Sequence, residues 1–416
     1  MTWEYLKDDR VDKRFDPVVK FLKGKTKDKV IVDIDCLEAR LLKFIPHDFK
    51  LYVGNDIAEG FPDLPKTQFF RYPDDQFVGI CPKCDILCCF GHGGYEKTGQ
   101  QLESHTLTNS IKRLIERDQP QIVVLEAVQE FEDIISKIVC DEYELKVRKY
   151  INVGDDWVLK RVVYIYELRP QTAIVVGCYS SYDFLKGTIK TMIENTQQKF
   201  RIIGINQVRD KKTGEKTKSV FKKYLRNGDT YIENDPPLNI YQFWNQGIKE
   251  ALKDKYIKYI GIFNDDLVMP VKWLENFLFF LRQDYPLVFA DWTEGSKIPD
   301  NWEKLSTERA NGHNTIYKDI MAGFCFICPR RTFENFGLFN ENFKIWGGDT
   351  DFYYRLRENG QDTYRIENVL IHHYYSRTLN ERRKNDKIDK ILIEDKKLVN
   401  KMWNKDCPIT IPPLKP

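Results

Sequence analysis

No stretch of the 416-residue sequence is apolar for long enough to cross a membrane. The opening residues, Met1-Thr2-Trp3-Glu4-Tyr5-Leu6-Lys7-Asp8, lack the apolar core of a signal peptide. Charge of one sign is also missing: 65 Lys and Arg face 62 Asp and Glu, interspersed except near the C-terminus, for a net +3. So small an excess gives no electrostatic footprint for nucleic acid and argues against it as the main substrate. A disulfide framework is not expected either. The ten Cys occur in a chain with no export signal, which points to a reducing compartment and a cytoplasmic protein.

What is present suits two or three domains, and 42% hydrophobic residues suffice for a core in each. Strand signals fall into two series on either side of Pro170. In the first, an amphipathic patch at 17–22 leads into strands at 30–36, 49–56, 85–91 and 121–126. Helical spacing appears at 37–44 and 106–117, and 144–150 with 160–168 read as an antiparallel pair. Alternation of this kind predicts a doubly wound, mostly parallel sheet. The second series has strands at 172–179, 200–206 and 259–263 and helices at 184–193 and 239–252. The basic, Gly-containing stretch 211–223 reads as a solvated loop.

Cys81-Pro82-Lys83-Cys84 has the spacing of half a zinc site, with His92 and His105 downstream, but a structural site usually takes a second pair. Cys88 and Cys89 are adjacent, so on a strand they point to opposite faces. Small buried hydrophobes are the better reading of all four. Cys325-Phe326-Ile327-Cys328 lies within an apolar strand and is a weaker metal candidate still.

The sharpest feature is an apolar run, Tyr259-Ile260-Gly261-Ile262-Phe263, that stops on Asn264-Asp265-Asp266. The carboxyl end of a buried strand is where open α/β sheets bind ligands, and paired carboxylates suit a hard divalent cation carrying phosphates. Asp349 and Asp351 form a second acidic cluster behind Trp346-Gly347-Gly348. These glycines let backbone approach a substrate closely, and an indole stacks on the apolar face of a sugar ring. His372-His373 ends a further strand, and neutral imidazole suits an ion such as Mn²⁺.

Taken with Val175-Val176-Gly177-Cys178-Tyr179, Ile202-Ile203-Gly204-Ile205-Asn206, Trp244-Asn245-Gln246-Gly247, Met321-Ala322-Gly323-Phe324 and Phe336-Gly337-Leu338-Phe339, these motifs occur in a telling order. Over about 172–376 the chain resembles family 2 glycosyltransferases of the nucleotide-sugar (type A) fold. The resemblance implies a nucleoside diphosphate sugar donor and Mn²⁺ or Mg²⁺ as cofactor. It makes Asp266 a metal ligand, Asp265 a contact to ribose or metal, and His372 the third ligand with His373 as alternate. Asp349 becomes the general base of an inverting displacement, and Asp351 either binds acceptor or favours its helix's N-terminus. Cys178, Tyr179 and Asn206 stand at the nucleotide, and Trp346, Gly347 and Gly348 at the substrate. The family usually has Glu-Asp where this chain has Gly348-Asp349, and an acid where it has Asn206.

Residues 28–168 resemble the S-adenosylmethionine-dependent methyltransferase fold, on Val32-Asp33-Ile34-Asp35-Cys36 and on Asp56 after the second strand. That likeness implies Asp33 and Asp56 as the residues for S-adenosylmethionine. Asp35, Leu37 and Ala39 replace the glycines of the family's first motif and would crowd that pocket, so the domain reads as degenerate.

The expectation is therefore an α/β protein of two doubly wound domains. A methyltransferase-like Rossmann domain (1–170) precedes a type A glycosyltransferase domain (171–376) and a basic helical tail (377–416). In the tail Ile388, Ile391, Leu392, Leu398 and Met402 form one face, and Arg382-Arg383-Lys384 suits peripheral contact with anionic lipid or a phosphorylated acceptor. The expected acceptor is a glycan, a lipid-linked sugar or a protein. A module that binds nucleotide sugar without turnover, or an enzyme that also methylates, are the alternatives.

Overall fold

The computed structural model describes residues 9–34, 40–55, 64–71, 74–92, 101–128, 138–139, 141–152, 160–179, 181–374 and 388–404. The chain separates into two compact units, Met1–Arg169 and Pro170–Pro416.

In the first unit, β1 (Val30–Ile34), β2 (Leu51–Asn55), β3 (Thr67–Phe70), β4 (Ile86–His92), β5 (Ile122–Val128), β6 (Tyr143–Asn152) and β7 (Lys160–Leu168) form one sheet, ordered 3-2-1-4-5-7-6. The first five strands are parallel, and β7 runs antiparallel between β5 and β6. Its helices are α1 (Asp16–Leu22), α2 (Asp74–Ile80) and α3 (Gln101–Asp118). Strand alternation sends Val32, Val53 and Leu87 to one core and Ile31, Tyr52 and Ile86 to another. Burial on both faces is why these strands read as unbroken apolar runs.

Cys81, Cys84, Cys88 and Cys89 are buried free thiols, and burial pushes Cys81, Cys84 and Cys88 up. Asp33 is buried at the end of β1, where its carboxylate accepts the Tyr52 hydroxyl. Buried Glu126 on β5 pairs with Arg14 (3.0 Å) and Arg161 (3.1 Å). Asp35, Leu37, Ala39, Asp56 and the Arg382-Arg383-Lys384 cluster lie outside the described residues, as do the side chains of His92 and His105.

In the second unit the strands are β8 (Thr172–Cys178), β9 (Arg201–Gln207), β10 (Thr230–Asn234), β11 (Tyr259–Phe263), β12 (Leu267–Val268), β13 (Val288–Glu294), β14 (Ile316–Lys318), β15 (Cys325–Pro329) and β16 (Tyr364–His373). The sheet is mixed, ordered 10-9-8-11-15-13-16-12, with β14 on β16. Its helices are α4 (Tyr182–Glu194), α5 (Lys211–Tyr224), α6 (Ile240–Leu252), α7 (Trp273–Leu281), α8 (Trp302–Asn311), α9 (Arg330–Phe336), α10 (Gly348–Glu358) and α11 (Ile388–Trp403).

The stretch expected to be a solvated loop is α5. Asp210 caps it by accepting the Thr213 amide (3.0 Å), and Thr217 and Phe221, four residues apart, bury one side of an otherwise charged helix. The Phe221 ring lies where a side chain on Gly204 would be, 2.5 Å from an added Cβ, so β9 needs glycine there. In α11 the buried stripe is Ile388, Leu392, Asp395 and Val399; Met402, expected on that face, is exposed.

Candidate active site

The acidic turn after β11 is tied down from two sides. The Thr188 hydroxyl on α4 reaches the Asp265 carbonyl (2.9 Å) and the Leu267 carbonyl (2.8 Å), and its oxygen accepts the Leu267 amide (2.9 Å). The Asn264 amide donates to the Phe324 carbonyl (2.9 Å). Asp265 and Asp266 are both buried, and Asp265 Oδ2 has no hydrogen-bond partner among the described residues. Burial, reinforced by the adjacent Asp266 charge, pushes the Asp265 carboxyl well above the usual range, against the Cys178 thiol and His373. A buried acid with an open oxygen suits a cation.

β16 brings the histidines to this turn. It pairs antiparallel with β12, His373 opposite Leu267 and His372 opposite Val268, and the Tyr374 amide donates to the Asp266 carbonyl (3.0 Å). Neighbours on a strand face opposite ways. His373 is the one that reaches the carboxylate, with Nε2 3.3 Å from Asp266 Oδ1 and its ring stacked on Phe324 at 4.5 Å. Burial lowers its pKa, but the Asp266 carboxylate, with Glu294 and Asp265, outweighs that and holds it up. His372 Nδ1 instead lies 3.0 Å from the Thr293 hydroxyl, and burial pushes this imidazole down.

Among the described residues no group of three or more His, Cys, Asp or Glu is gathered to hold a metal ion. Asp266 and His373 do fit an ion that takes its remaining ligands from water and a substrate diphosphate, since Mg²⁺-type sites commonly use one or two protein carboxylates. The observation behind that fit is the buried Asp265 Oδ2, without a hydrogen-bond partner among the described residues, beside the Asp266–His373 pair.

The second acidic cluster is built on glycines. Gly347, at φ +87°, starts α10 in a conformation that L side chains resist. A Cβ on Gly348 would lie 2.5 Å from the Tyr241 ring, and the Gly348 amide donates to the Tyr241 hydroxyl (2.9 Å). Tyr241 therefore occupies the space that a side chain at Gly348 would need. A Cβ on Gly323 would meet Asp349 Oδ2 at 2.6 Å, so that glycine makes room for the carboxylate. Asp349 Oδ1 accepts the Thr350 amide (2.9 Å). Burial pushes Asp349 up, opposed by the amides of Thr350, Asp349, Gly323 and Gly347.

Asp351 is buried and both oxygens are used, one by Arg355 Nε (3.1 Å), the other by Trp403 Nε1 (3.1 Å). It locks α10 to α11 rather than facing outward.

The residues expected at the nucleotide, Cys178, Tyr179 and Asn206, lie at the ends of β8 and β9. Cys178 is buried, its sulfur 3.9 Å from the Thr217 hydroxyl and in reach of Asp265. The Arg209 guanidinium lies 5.9 Å from the Tyr179 ring. Asn206 Nδ2 donates to the Gly214 carbonyl (3.0 Å) and the Tyr231 hydroxyl (3.0 Å), while its buried Oδ1 has no partner among the described residues.

Two adjacent residues join the halves of the site: Gly323 receives Asp349, and Phe324 stacks on His373 and holds Asn264. The sequence marked this pair only as a landmark. Tyr241, Thr188 and Asp395 carried no mark beyond, for Asp395, a lone acid in an apolar stripe.

Residues 173–344 match the family described as Glycosyl transferase family 2. No curated protein matches the chain. Among solved structures, GalNAc-T7 with UDP, GalNAc and Mn²⁺ aligns at TM-score 0.40 and 16% identity, over 59% of this chain and 50% of that one. The S. aureus TarS 1–349 structure aligns at TM-score 0.37 and 8% identity, over 51% and 62%. The chain thus spans about half to three-fifths of those two chains. The matched residues 173–344 lie within the mixed α/β sheet of the second unit.

Proposed function

We propose that this domain is a metal-dependent, inverting hexosyltransferase that moves a sugar from a nucleoside diphosphate donor to a glycan, lipid-linked or protein acceptor. The observation that carries this reading is the Gly323-Phe324 junction, with a carboxylate seated against one residue and the Asp266–His373 pair against the next.

Asp266 and His373 would hold Mn²⁺ or Mg²⁺; the pairing at 3.3 Å favours His373 over His372 for this work. The cation, when bound, neutralises the charge that develops on the departing diphosphate. Asp349 takes the proton of the acceptor hydroxyl as its oxygen bonds to the anomeric carbon and the carbon–diphosphate oxygen bond breaks. A single in-line displacement inverts that carbon. Burial raises the basicity of Asp349, which suits proton transfer. Asn206 Oδ1 offers an acceptor to a base edge or ribose, near Cys178, Tyr179 and Asp265. Trp346, Gly347 and Gly348 border the sugar.

Nucleotide release from UDP- and GDP-sugars, with Mn²⁺ and with chelator, tests the reading. Release by wild type and its loss in Asp349→Asn supports it. Equal donor binding with no turnover by either protein would instead favour a non-catalytic binding module, the reading that Gly348 in place of an acid supports.

For residues 1–169 the strand order 3-2-1-4-5-7-6, with antiparallel β7, supports a methyltransferase-like domain. Asp33 already takes the Tyr52 hydroxyl. Calorimetry with S-adenosylmethionine decides whether the unit binds that cofactor; no heat at high protein concentration removes the role.

A further inference from the structure

Helix α11 lies beyond the family-matched residues 173–344, and it grips the loop that leads into α10 and Asp349. Asp395 is buried at the centre of its apolar stripe. Its carboxylate accepts three consecutive amides: Lys344 (3.1 Å to Oδ1), Ile345 (2.9 Å to Oδ2) and Trp346 (3.0 Å to Oδ2). One turn on, Val399 leaves no space for a side chain on Gly347, 2.6 Å from an added Cβ. The Trp403 indole donates to Asp351 (3.1 Å). Three successive amides facing one way form an anion-binding concavity, and here a side chain from another element fills it. Such a fastening does more than a packed Leu could. It fixes the direction of the Trp346–Gly348 backbone, which Gly347 and Gly348 leave free to vary.

We propose that Asp395 is a positioning residue, which sets the loop so that Asp349 meets the acceptor hydroxyl. This rests on Asp349 being the base. A small misplacement of a reacting group is enough to cost about 100-fold in rate.

The test uses the full chain and nucleotide release from UDP-glucose, UDP-galactose, UDP-N-acetylglucosamine, UDP-N-acetylgalactosamine and GDP-mannose with Mn²⁺. For Asp395→Asn, which puts an amide N–H₂ against amide donors, kcat falls about 100-fold while donor affinity by calorimetry is unchanged. In an Asp349→Asn background the same substitution has no further effect, because a residue that acts through another is silent once the other is gone. Equal losses in both backgrounds, or a lower melting temperature with unchanged kcat, overturn the proposal. Asp349→Asn with wild-type turnover would sink the base assignment instead. Amide exchange supplies an activity-free arm: Lys344, Ile345 and Trp346 lose protection in Asp395→Asn, and unchanged protection there overturns the proposal. If that variant does not fold, Asp395→Glu carries both arms, with the same outcomes at smaller size.

Discussion

Both units end parallel strands on buried acids, and they treat those acids differently. In the first, Glu126 lies between Arg14 and Arg161, and Asp33 takes a phenol from Tyr52; the edge supplies its own counter-groups. In the second, Asp265 and Asp266 are buried side by side and meet one imidazole, His373, 3.3 Å from Asp266 Oδ1. Two adjacent carboxylates on one imidazole leave acid in excess, and burial with the Asp266 charge pushes the Asp265 carboxyl up to about 8, an arrangement that a cation would relieve. The lesson is that buried acids mark a candidate site where they outnumber the counter-groups the fold sets against them.

The largest effect that would break this contrast is expected from Asp349→Asn, which should lower kcat by about 10³-fold if Asp349 is the base. In wild type the acidic limb of kcat/KM should also fall above the ordinary Asp range, because the base must be ionised and its pKa is raised. Asp266→Asn should remove the response to Mn²⁺ and cost about 100-fold in rate, read from nucleotide release across a Mn²⁺ titration; an unchanged Mn²⁺ dependence would refute the ligand assignment.

In the first unit, Glu126→Ala should leave two buried guanidinium groups without their carboxylate and cost about 3 kcal/mol, measured by urea unfolding. If instead that variant were as stable as wild type, the first edge would not be self-neutralised. The smallest effect is expected from Gly348→Ala, whose added methyl meets the Tyr241 ring and should cost about 1–3 kcal/mol by the same measurement.

Much of the framework was legible in the sequence because parallel strands with helices on both faces leave long apolar runs and punctuated helical spacing. The strands beginning at Val30, Leu51, Ile86, Ile122, Thr172, Arg201 and Tyr259 all show this. Less legible was β3, only four residues long and half-buried. Helix α5 read as loop because its charge hides the Thr217–Phe221 contact. Asp351 could be given two roles from sequence, and only Arg355 and Trp403 show where its oxygens go.

By itself the sequence determined where apolar runs end on acids and which glycines precede Asp349, since both are properties of neighbouring residues. The tertiary structure decided what lies across from them. Strand register turned His373 rather than His372 to Asp266. Tyr241, 107 residues away, reached the Gly348 amide, and Asp395 reached back about 50 residues to fasten the loop. The physical reason is that facing and filling are set by pairing between distant segments, which no local periodicity records.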